Sequence, residues 1–528
     1  MLLLLTLLAC RSDGDVPAAT GPGPVVLDGF EVDDSDITRP LIRGLAFTTD
    51  EPAAVTVTLD DGEHQVQIEG PEATEHRLVV MGLRPARTYA TTVRLDGPSG
   101  VAEQAGPEVS SGALPADFPA IEVLAWEPDQ VEPGFTLVTL SMPQPGEDFN
   151  LAYHTVFDPE MQPVWVLRTA TTAGYSRWED GLWMMAAGYV SHYATDGLLD
   201  LRLLPAASSE EPLPVDVPML LDMPLHYDIL PAHDDSFYTV AYDTFTAPAY
   251  PLSLDELEPV EGDHDLRDMV IARLGFDGTV RELWPLSERL DTTRVGYGSF
   301  NPSNQGYDWA HTNAVNHDPD GGVIVSSRHQ DAVFHLDEQG DLTWILSNPD
   351  GWSPEFQALR LQPKGEVSWP YHQHAPHVSN DGTLMMFDNG NQRHSPYDVP
   401  DVIPEPVSRV VGYRVDAEAM TVEELWSFED TVTGPLFCSA LGDADPQPLT
   451  GNVLATFGTV QGEGGVPNEE QGRGSRTVRL IEFVPDTLHT VLDVRFSTPH
   501  DTLPDGVRAF RAERIPLDAI PWVVRDGR

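Results

Sequence analysis

His311–Asp331 reads HTNAVNHDPDGGVIVSSRHQD: a histidine, a mixed run, an Asp-Pro-Asp-Gly-Gly turn, and an apolar run ending on Ser-Ser-Arg. His226–Asp243 (HYDILPAHDDSFYTVAYD) and His374–Gly390 (HAPHVSNDGTLMMFDNG) share that layout. In all three a histidine leads, a polar or Asp/Gly turn follows about eight to ten residues later, and strand-like residues come next. A residue type that recurs just before the same strand of successive units marks one layer of a repeating architecture. Working outward, Trp-bearing strands recur in DPEMQPVWVL, FDGTVRELWPL, DEQGDLTWIL and AEAMTVEELWSF, and turn-first strands in EDGLWMMAAG, PDGGVIVSS, NDGTLMMFD and LTGNVLATFG. Six units fall at about 135–172, 173–207, 220–287, 308–350, 372–430 and 436–500. The pattern predicts an all-β chain folded as a six-bladed β-propeller, with residues 506–523 returning to close the ring. A β-helix or stacked sandwiches would repeat at shorter, more even intervals. Helical periodicity is nearly absent, with room for one short helix in SLDELEPVEGDHD.

From Val25 to about Leu114 apolar and polar residues alternate between turn signals, at all-β spacing. There Leu83–Tyr89 (LRPARTY) resembles the tyrosine corner of fibronectin-III-like sandwiches, which gives Tyr89 a structural role. The expected organisation is a fibronectin-III/Ig-like β-sandwich over 25–114 and the propeller over 115–528. At the amino terminus, MLLLLTLLAC has the form of a bacterial lipobox ending at Cys10, too short to span a bilayer. Residues 1–10 are expected to be a lipoprotein signal segment, with Cys10 acylated and 11–24 a Pro/Gly/Asp linker. The expected location is the cell envelope, periplasmic or outer surface, with the lipid anchor as the only membrane contact. Cys438 is then the one remaining cysteine, which excludes an internal disulfide and a cysteine-based zinc site. It reads as a buried small apolar residue.

Charge narrows the partners. The 528 residues carry 84 Asp+Glu against 30 Lys+Arg, a formal net of −54, and Lys364 is the only lysine. Such a chain repels nucleic acid and anionic headgroups. An anionic substrate can bind only where arginine and histidine reverse the local field. In a propeller the loops entering the innermost strands ring one mouth of the channel, so His226, His311 and His374 are expected to converge. Asn313 lies two residues beyond His311, Arg328 closes the strand of the same unit, and Ser439 sits at the corresponding position of the last unit. Three imidazoles, a guanidinium, an amide and a hydroxyl, with no obvious carboxylate base, suit an anionic, multiply oxygenated group with an imidazole as nucleophile. His233, His317, His329, His377 and His394 read as caps or satisfied surface residues. Tyr307, Trp309 and Tyr371, on long inserts between units, are candidate apolar surfaces for a bound ligand. Two other readings stay open: the three histidines could hold a metal for hydrolysis or oxygenation, or the chain could be a non-catalytic surface receptor.

The string DWAHTNAVNHDPDGGVIVSSRHQDAVFHLDEQGDLTWIL, followed by HQHAPHVSNDGTLMMFDNG, resembles the bacterial arylsulfate sulfotransferases that work without a nucleotide sulfate donor. The similarity runs from about residue 115 to the C-terminus and includes FPAIEVL, GNVLATFG and FRAERIP. It implies a six-bladed propeller behind a β-sandwich, a reaction outside the cytoplasm, and transfer of a sulfuryl group from an aryl sulfate to a phenol without a cofactor or metal. The histidine that becomes sulfated in that family maps onto His374, and the supporting positions map onto His226, His311, Asn313 and Arg328. Three features depart from the family pattern. Tyr227 follows His226 where a doubled histidine is common, Ser439 is a loose match for the last hydroxyl, and no cysteine pair is present. The expected course is ping-pong. Neutral His374, kept so by Arg328, attacks sulfur; Asn313 donates to the sulfuryl oxygens, and a neighbouring imidazole acts as base for the acceptor.

Overall fold

A computed structural model describes residues 24, 26–33, 36–144, 150–171, 175–186, 188–205, 213–232, 234–430, 433–461, 476–498 and 506–526. Cys10, the expected signal segment and all of the expected linker but Pro24 lie outside the described residues. Regular structure is almost entirely strand; among the described residues the helical pieces are Pro354–Gln357 and the 3-10 turn Leu286–Glu288. The stretch with room for a helix runs instead into the strand Val260–Gly275, which pairs antiparallel with Ser236–Tyr250 from Tyr250↔Val260 to Ser236↔Gly275. That long partner offers ladder hydrogen bonds to residues whose own helical pattern is weak.

The chain packs as two units. One takes in the described residues up to 36, then 41–113 and those from 521; the other takes in 37–40 and 114–520. In the first, the strand Arg43–Asp60 alternates with period two, burying Leu45, Phe47, Val55, Val57 and Leu59. It pairs with His64–Val80 on one side (Val57↔Ile68, Leu59↔Val66) and with Thr88–Gly97 on the other (Val55↔Leu95, Val57↔Val93). Tyr89 is fully buried and its hydroxyl accepts the Arg84 N–H at 2.9 Å, pinning the connection 83–88. The C-terminal strand Val523–Asp526 pairs with His64–Gln67 in this unit. The sequence assigns those residues to the propeller, because a terminal strand carries no mark of which sheet it will join.

Among the described residues the second unit holds six sheets. Their hairpin-connected strands lie at 135–171, 175–205, 225–285, 312–347, 374–428 and 443–497. Most strand pairs are antiparallel neighbours, as turn-strand-turn repeats dictate. The inner edge strands meet in a closed series: Tyr175–Trp178 against Leu225–Ala232, then Thr312–His317, His374–Val378, Asp443–Pro446, Ala512–Ile515 and back to Tyr175–Trp178. The first and last sheets are each completed from the far end of the unit. Ala512–Ile515 pairs with Phe135–Val138 of the first sheet, and Ala120–Trp126 becomes the outer strand of the last, beside His489–Ser497. The return of 506–523 is legible in the sequence; the use of Ala120–Trp126 as a strand of the last sheet is not.

Arg514 links these two sheets. It donates to Thr136 Oγ1 at 2.7 Å and to Glu482 Oε2 at 2.5 Å, and Glu482 also accepts the Glu132 N–H and the Asn452 amide. Both side chains are buried, at 4% and 0% exposure. Breaking one partner of a buried ion pair costs about 3–5 kcal/mol, because the other charge is left uncompensated. Arg514→Met is expected to lower the thermal midpoint by several degrees, and Arg514→Met with Glu482→Gln to recover part of that loss in the same melt; equal midpoints for wild type and Arg514→Met would show that Arg514 does not hold the closure.

Candidate active site

The innermost strands of the third, fourth and fifth sheets begin next to or at His226, His311 and His374. Each loses register just past its histidine: between His226 and Leu230, Thr312 and Ala314, and His374 and His377. An irregularity of this kind inserts an extra residue and re-aims the side chains beside it. The backbone is strained here as well, with His311, His372 and Ala375 at φ 44, 56 and 46. Such non-glycine conformations cost on the order of 1–3 kcal/mol each and persist only where surrounding bonds hold them. Here the His311 carbonyl accepts the Arg328 N–H at 3.0 Å and the His372 N–H donates to Asp331 at 2.8 Å.

His374 is 7% exposed, and its Nδ1 lies 2.6 Å from Asn389 Oδ1. Asn389 spends its amide protons on the carbonyls of Cys438 and Leu441, both at 2.8 Å, so its oxygen can only accept. The imidazole proton therefore sits on Nδ1 and the lone pair on Nε2. Among the described residues Nε2 has one hydrogen-bond partner, the Leu441 N–H at 3.3 Å. Burial, and then the Arg328 charge, push the His374 pKa well below that of an ordinary imidazole, so the ring is neutral. Arg328 follows the strand Val323–Ser327 and donates through Nη2 to the Ser439 carbonyl at 3.1 Å. Its buried Nε has no hydrogen-bond partner among the described residues. Burial lowers the guanidinium pKa to about 10 against the charges of Asp331 and Asp308, which leaves it cationic at neutral pH. An unsatisfied buried donor on a cation is costly, and an oxyanion would satisfy it.

His311, Asn313, Arg328, His374 and Ser439 line one cavity of about 470 Å³, enough for an aryl ester. His226 does not line it. Its ring lies behind His311, 5.3 Å between centroids, packs on Tyr242 at 4.6 Å, and donates from Nδ1 to the Thr312 carbonyl at 3.1 Å. The amide of Asn313 donates to the Gln373 carbonyl at 2.8 Å, while its buried Oδ1 has no hydrogen-bond partner among the described residues. Asn313 thus ties the strand bearing His374 to its neighbour. Gln373, fully buried, locks the same junction through bonds to Ser326, Ser327 and Ala332. Ser439 holds Arg328 through its carbonyl, and its hydroxyl accepts from Gln461 at 2.7 Å.

Four features of the site were not read from the sequence. Asp308, three residues before His311, is buried with Oδ2 2.7 Å from His311 Nδ1 and 3.6 Å from Arg267. Burial opposes its ionisation, but His311 first, then His329 and Arg267, hold its carboxyl well below the usual range. The cavity therefore does contain a carboxylate, one that fixes the His311 tautomer and turns Nε2 outward. His329 is not a satisfied surface residue: it is 1% exposed, stacks on His311 at 4.6 Å and donates to the Asp308 carbonyl at 2.6 Å. Asn389 is visible in the sequence only as part of FDNG. Arg476, Arg508 and Phe510 form a wall from the last sheet and the closing segment.

Of the aromatic candidates none lines the cavity. Trp309 is fully buried against Phe245, Tyr307 is 40% exposed beside Tyr250 and Phe300, and Tyr371 is half-buried with its N–H on Asp388. These rings pack the inserts onto the sheets. His317 and His377 line a separate cavity, His394 is buried beside Tyr297, and His233 lies outside the described residues. Asp308, His311 and His329 bring their ligand atoms within 4.8 Å of one another, close enough for a metal ion. That trio differs from the three histidines aligned in the sequence.

Residues 252–502 match the family model described as Arylsulfotransferase (ASST). The arylsulfate sulfotransferase AssT of Escherichia coli O6:H1 is 30% identical over 141 residues, and that of Lelliottia amnigena 31% over 138, each covering 23% of this chain. The chain likewise spans 23% of the length of these relatives. Among solved structures, the Neurospora crassa Pan2 WD40 domain (8% identity, TM-score 0.29, 71% of this chain and 91% of that one) and a streptogramin B lyase (10%, 0.28, 64% and 94%) overlap too loosely to carry argument. The matched segment contains His311, Arg328 and His374, and over it the chain is similar to the arylsulfotransferase family.

Proposed function

We propose that this chain is an aryl-sulfate sulfotransferase that moves a sulfuryl group from a phenolic sulfate ester to a phenol through a sulfated His374. On this reading the six sheets are the blades of a six-bladed propeller, the first unit is a fibronectin-III-like sandwich, and Cys10 anchors the mature chain by lipid at the cell envelope. The observation that carries it is the pairing in one cavity of a neutral imidazole, its lone pair fixed at Nε2, with a buried guanidinium N–H that has no partner among the described residues.

The first half-reaction forms the Nε2–S bond as the S–O bond to the aryl group breaks, and phenolate leaves. Arg328 offsets charge on the sulfuryl oxygens, and the Leu441 N–H, released from Nε2, is placed to donate to one of them. A charged or backbone donor so placed is worth about 3–4 kcal/mol. In the second half a phenol gives its proton to His311 Nε2, attacks sulfur and breaks the N–S bond. The proton held on His311 then serves the next phenolate. The Asp308 carboxylate stabilises the transient imidazolium, as a buried orienting carboxylate does in acyl transfer.

A metal-dependent reaction has the Asp308–His311–His329 trio in its favour. The Arg267 guanidinium, 3.6 Å from Asp308, and Arg328 in the same cavity oppose a cation there. Metal analysis of the purified protein distinguishes the two readings.

Mixing the protein with para-nitrophenyl sulfate is expected to add the mass of one SO₃ to the peptide holding His374, and His374→Asn to abolish the adduct; turnover retained by His374→Asn rules the mechanism out. Asn389→Leu leaves Nδ1 without its acceptor and lets the proton migrate to Nε2, so kcat/KM is expected to fall by roughly 10²–10⁴ with the fold retained. The pH profile has a defined sign. A lowered His374 pKa puts the acid limb of kcat/KM below pH ~6.5, the ordinary imidazole value. Arg328→Gln removes the second cause of that lowering, so the limb is expected to move to higher pH while the rate falls about 10²–10³-fold; an unmoved limb would mean that Arg328 does not act on His374.

A further inference from the structure

Two buried carboxylates hold the segment that leads into His374. Its consecutive N–H groups go to different acids: Tyr371 donates to Asp388 Oδ1 and His372 to Asp331 Oδ1, each at 2.8 Å. The two acids are otherwise unlike. Asp388 has a counter-charge in direct contact, the Arg409 Nε at 2.8 Å. Asp331 is 1% exposed, does not line the cavity, and closes the turn that begins at Arg328, its N–H on the Arg328 carbonyl at 3.2 Å. Its ion-pair contact among the described residues is the His372 ring, whose Nδ1 lies 3.0 Å from Oδ1. Burial, and then the Arg328 charge, lower the His372 pKa, so that ring is neutral and does not answer the carboxylate. The cations left to answer it are Arg328 on its own turn and Arg294 from the segment before the fourth sheet, and for both Asp331 is the largest charge favouring the ionised form. A fixed negative charge in a buried setting supports a nearby cation without touching it.

The same carboxylate also reaches the nucleophile. Asp331 and His372 both lie in the left-handed region, at φ 46 and 56, and one hydrogen bond joins them. The His372 carbonyl is 3.2 Å from His374 Nδ1, so a rotation of that residue would disturb the imidazole proton. We propose that Asp331 is a positioning residue of the sulfuryl site: its carboxylate anchors the His372 N–H, which sets the turn that aims His374, and it is the buried counter-charge of Arg328. This rests on the sulfotransferase reading, in which Arg328 is cationic and His374 Nε2 faces sulfur. One side chain outside the cavity then ties the turn of the nucleophile to the turn of the cation.

The test is the burst of para-nitrophenolate released from para-nitrophenyl sulfate by the full chain without acceptor. Followed at low donor from about pH 6 to about pH 11, its second-order constant reports groups of the free enzyme. Asp331→Asn keeps an oxygen for the His372 N–H and removes the charge. Arg328 then loses its proton at lower pH, and the reaction needs it charged, so the alkaline limb is expected to move down by ~1 pH unit. Asp331→Ala loses the anchor as well, and its plateau rate is expected to fall roughly tenfold or more below that of Asp331→Asn. With Arg328→Gln already present, Asp331→Asn is expected to leave the profile where it was. The burst amplitude at saturating donor counts competent sites, so partial loss of folded protein disturbs neither comparison. An alkaline limb unmoved by Asp331→Asn overturns the proposal, as does a shift of equal size beside Arg328→Gln, and either result decides it even where Asp331→Ala does not fold. Equal plateau rates in Asp331→Asn and Asp331→Ala overturn the anchoring role. A wild-type burst with any of these results leaves the sulfotransferase reading standing; no burst from the wild type sinks both.

Discussion

The hydrogen bond from His374 Nδ1 to Asn389 Oδ1 is the contact on which the site depends. It converts an imidazole with two equivalent choices into one with a single outward lone pair. Asn389 can do this because its amide protons are committed to Cys438 and Leu441, on the connection into the last sheet. One side chain thus couples the fifth sheet to the sixth and sets the tautomer of the residue between them. The same connection supplies the Leu441 N–H that faces Nε2 and the Ser439 carbonyl that holds Arg328. A shift of this connection would disturb the nucleophile, its proton and the nearby cation together.

Around that contact the protein tolerates conditions it avoids elsewhere. It buries a guanidinium with one nitrogen unsatisfied, keeps several imidazoles neutral by desolvation, and holds non-glycine residues in the left-handed region on both sides of His374. The sum is several kcal/mol set against folding. It is offset by the extended antiparallel ladders and by ion pairs such as Arg514–Glu482 at the seam between the first and last sheets. The net charge of −54 makes this local arrangement consequential. Distant carboxylates are screened within about 8 Å in physiological salt, so the field inside a 470 Å³ cavity is set by its own lining.

Most of the architecture was legible because it is written in periodicity. The units read at 135–172, 308–350, 372–430 and 436–500 nearly coincide with sheets at 135–171, 312–347, 374–428 and 443–497, since each is bounded by turn residues whose chemistry is local. Ala120–Trp126 and Val523–Asp526 escaped because a lone terminal strand does not encode its partner. In the site, His311, Asn313, Arg328, His374 and Ser439 meet because repeated register places them at equivalent strand ends. His226 misses the cavity by one layer, standing behind His311. Trp309 and Tyr307 were drawn to the site by their insert, yet composition cannot separate a ring that binds a ligand from one that packs a loop. Asp308 carried a usable signal, an acid three residues before an aligned histidine. Arg476, Arg508 and Phe510 carried none, since they arrive from segments 100 or more residues away from His374 in the chain.

Repeated register also explains why three aligned histidines came to differ in use. Each follows the same turn and precedes a similar break in pairing, so the backbone offers three equivalent positions. What separates them is the acceptor met by Nδ1: a backbone carbonyl for His226, the Asp308 carboxylate for His311 and the Asn389 amide oxygen for His374. A carboxylate partner fixes the proton of His311 on Nδ1 and leaves Nε2 to face the cavity. At His374, burial and a nearby guanidinium favour the uncharged ring, and the amide oxygen fixes which nitrogen carries the proton, which suits a nucleophile. Burial, and then His311 beside it, keep His226 neutral and make it support for its neighbour. On the proposed reading, the division of labour among identical side chains is set by these partners, and exchanging Asp308 and Asn389 in kind would be the direct way to exchange the roles of His311 and His374.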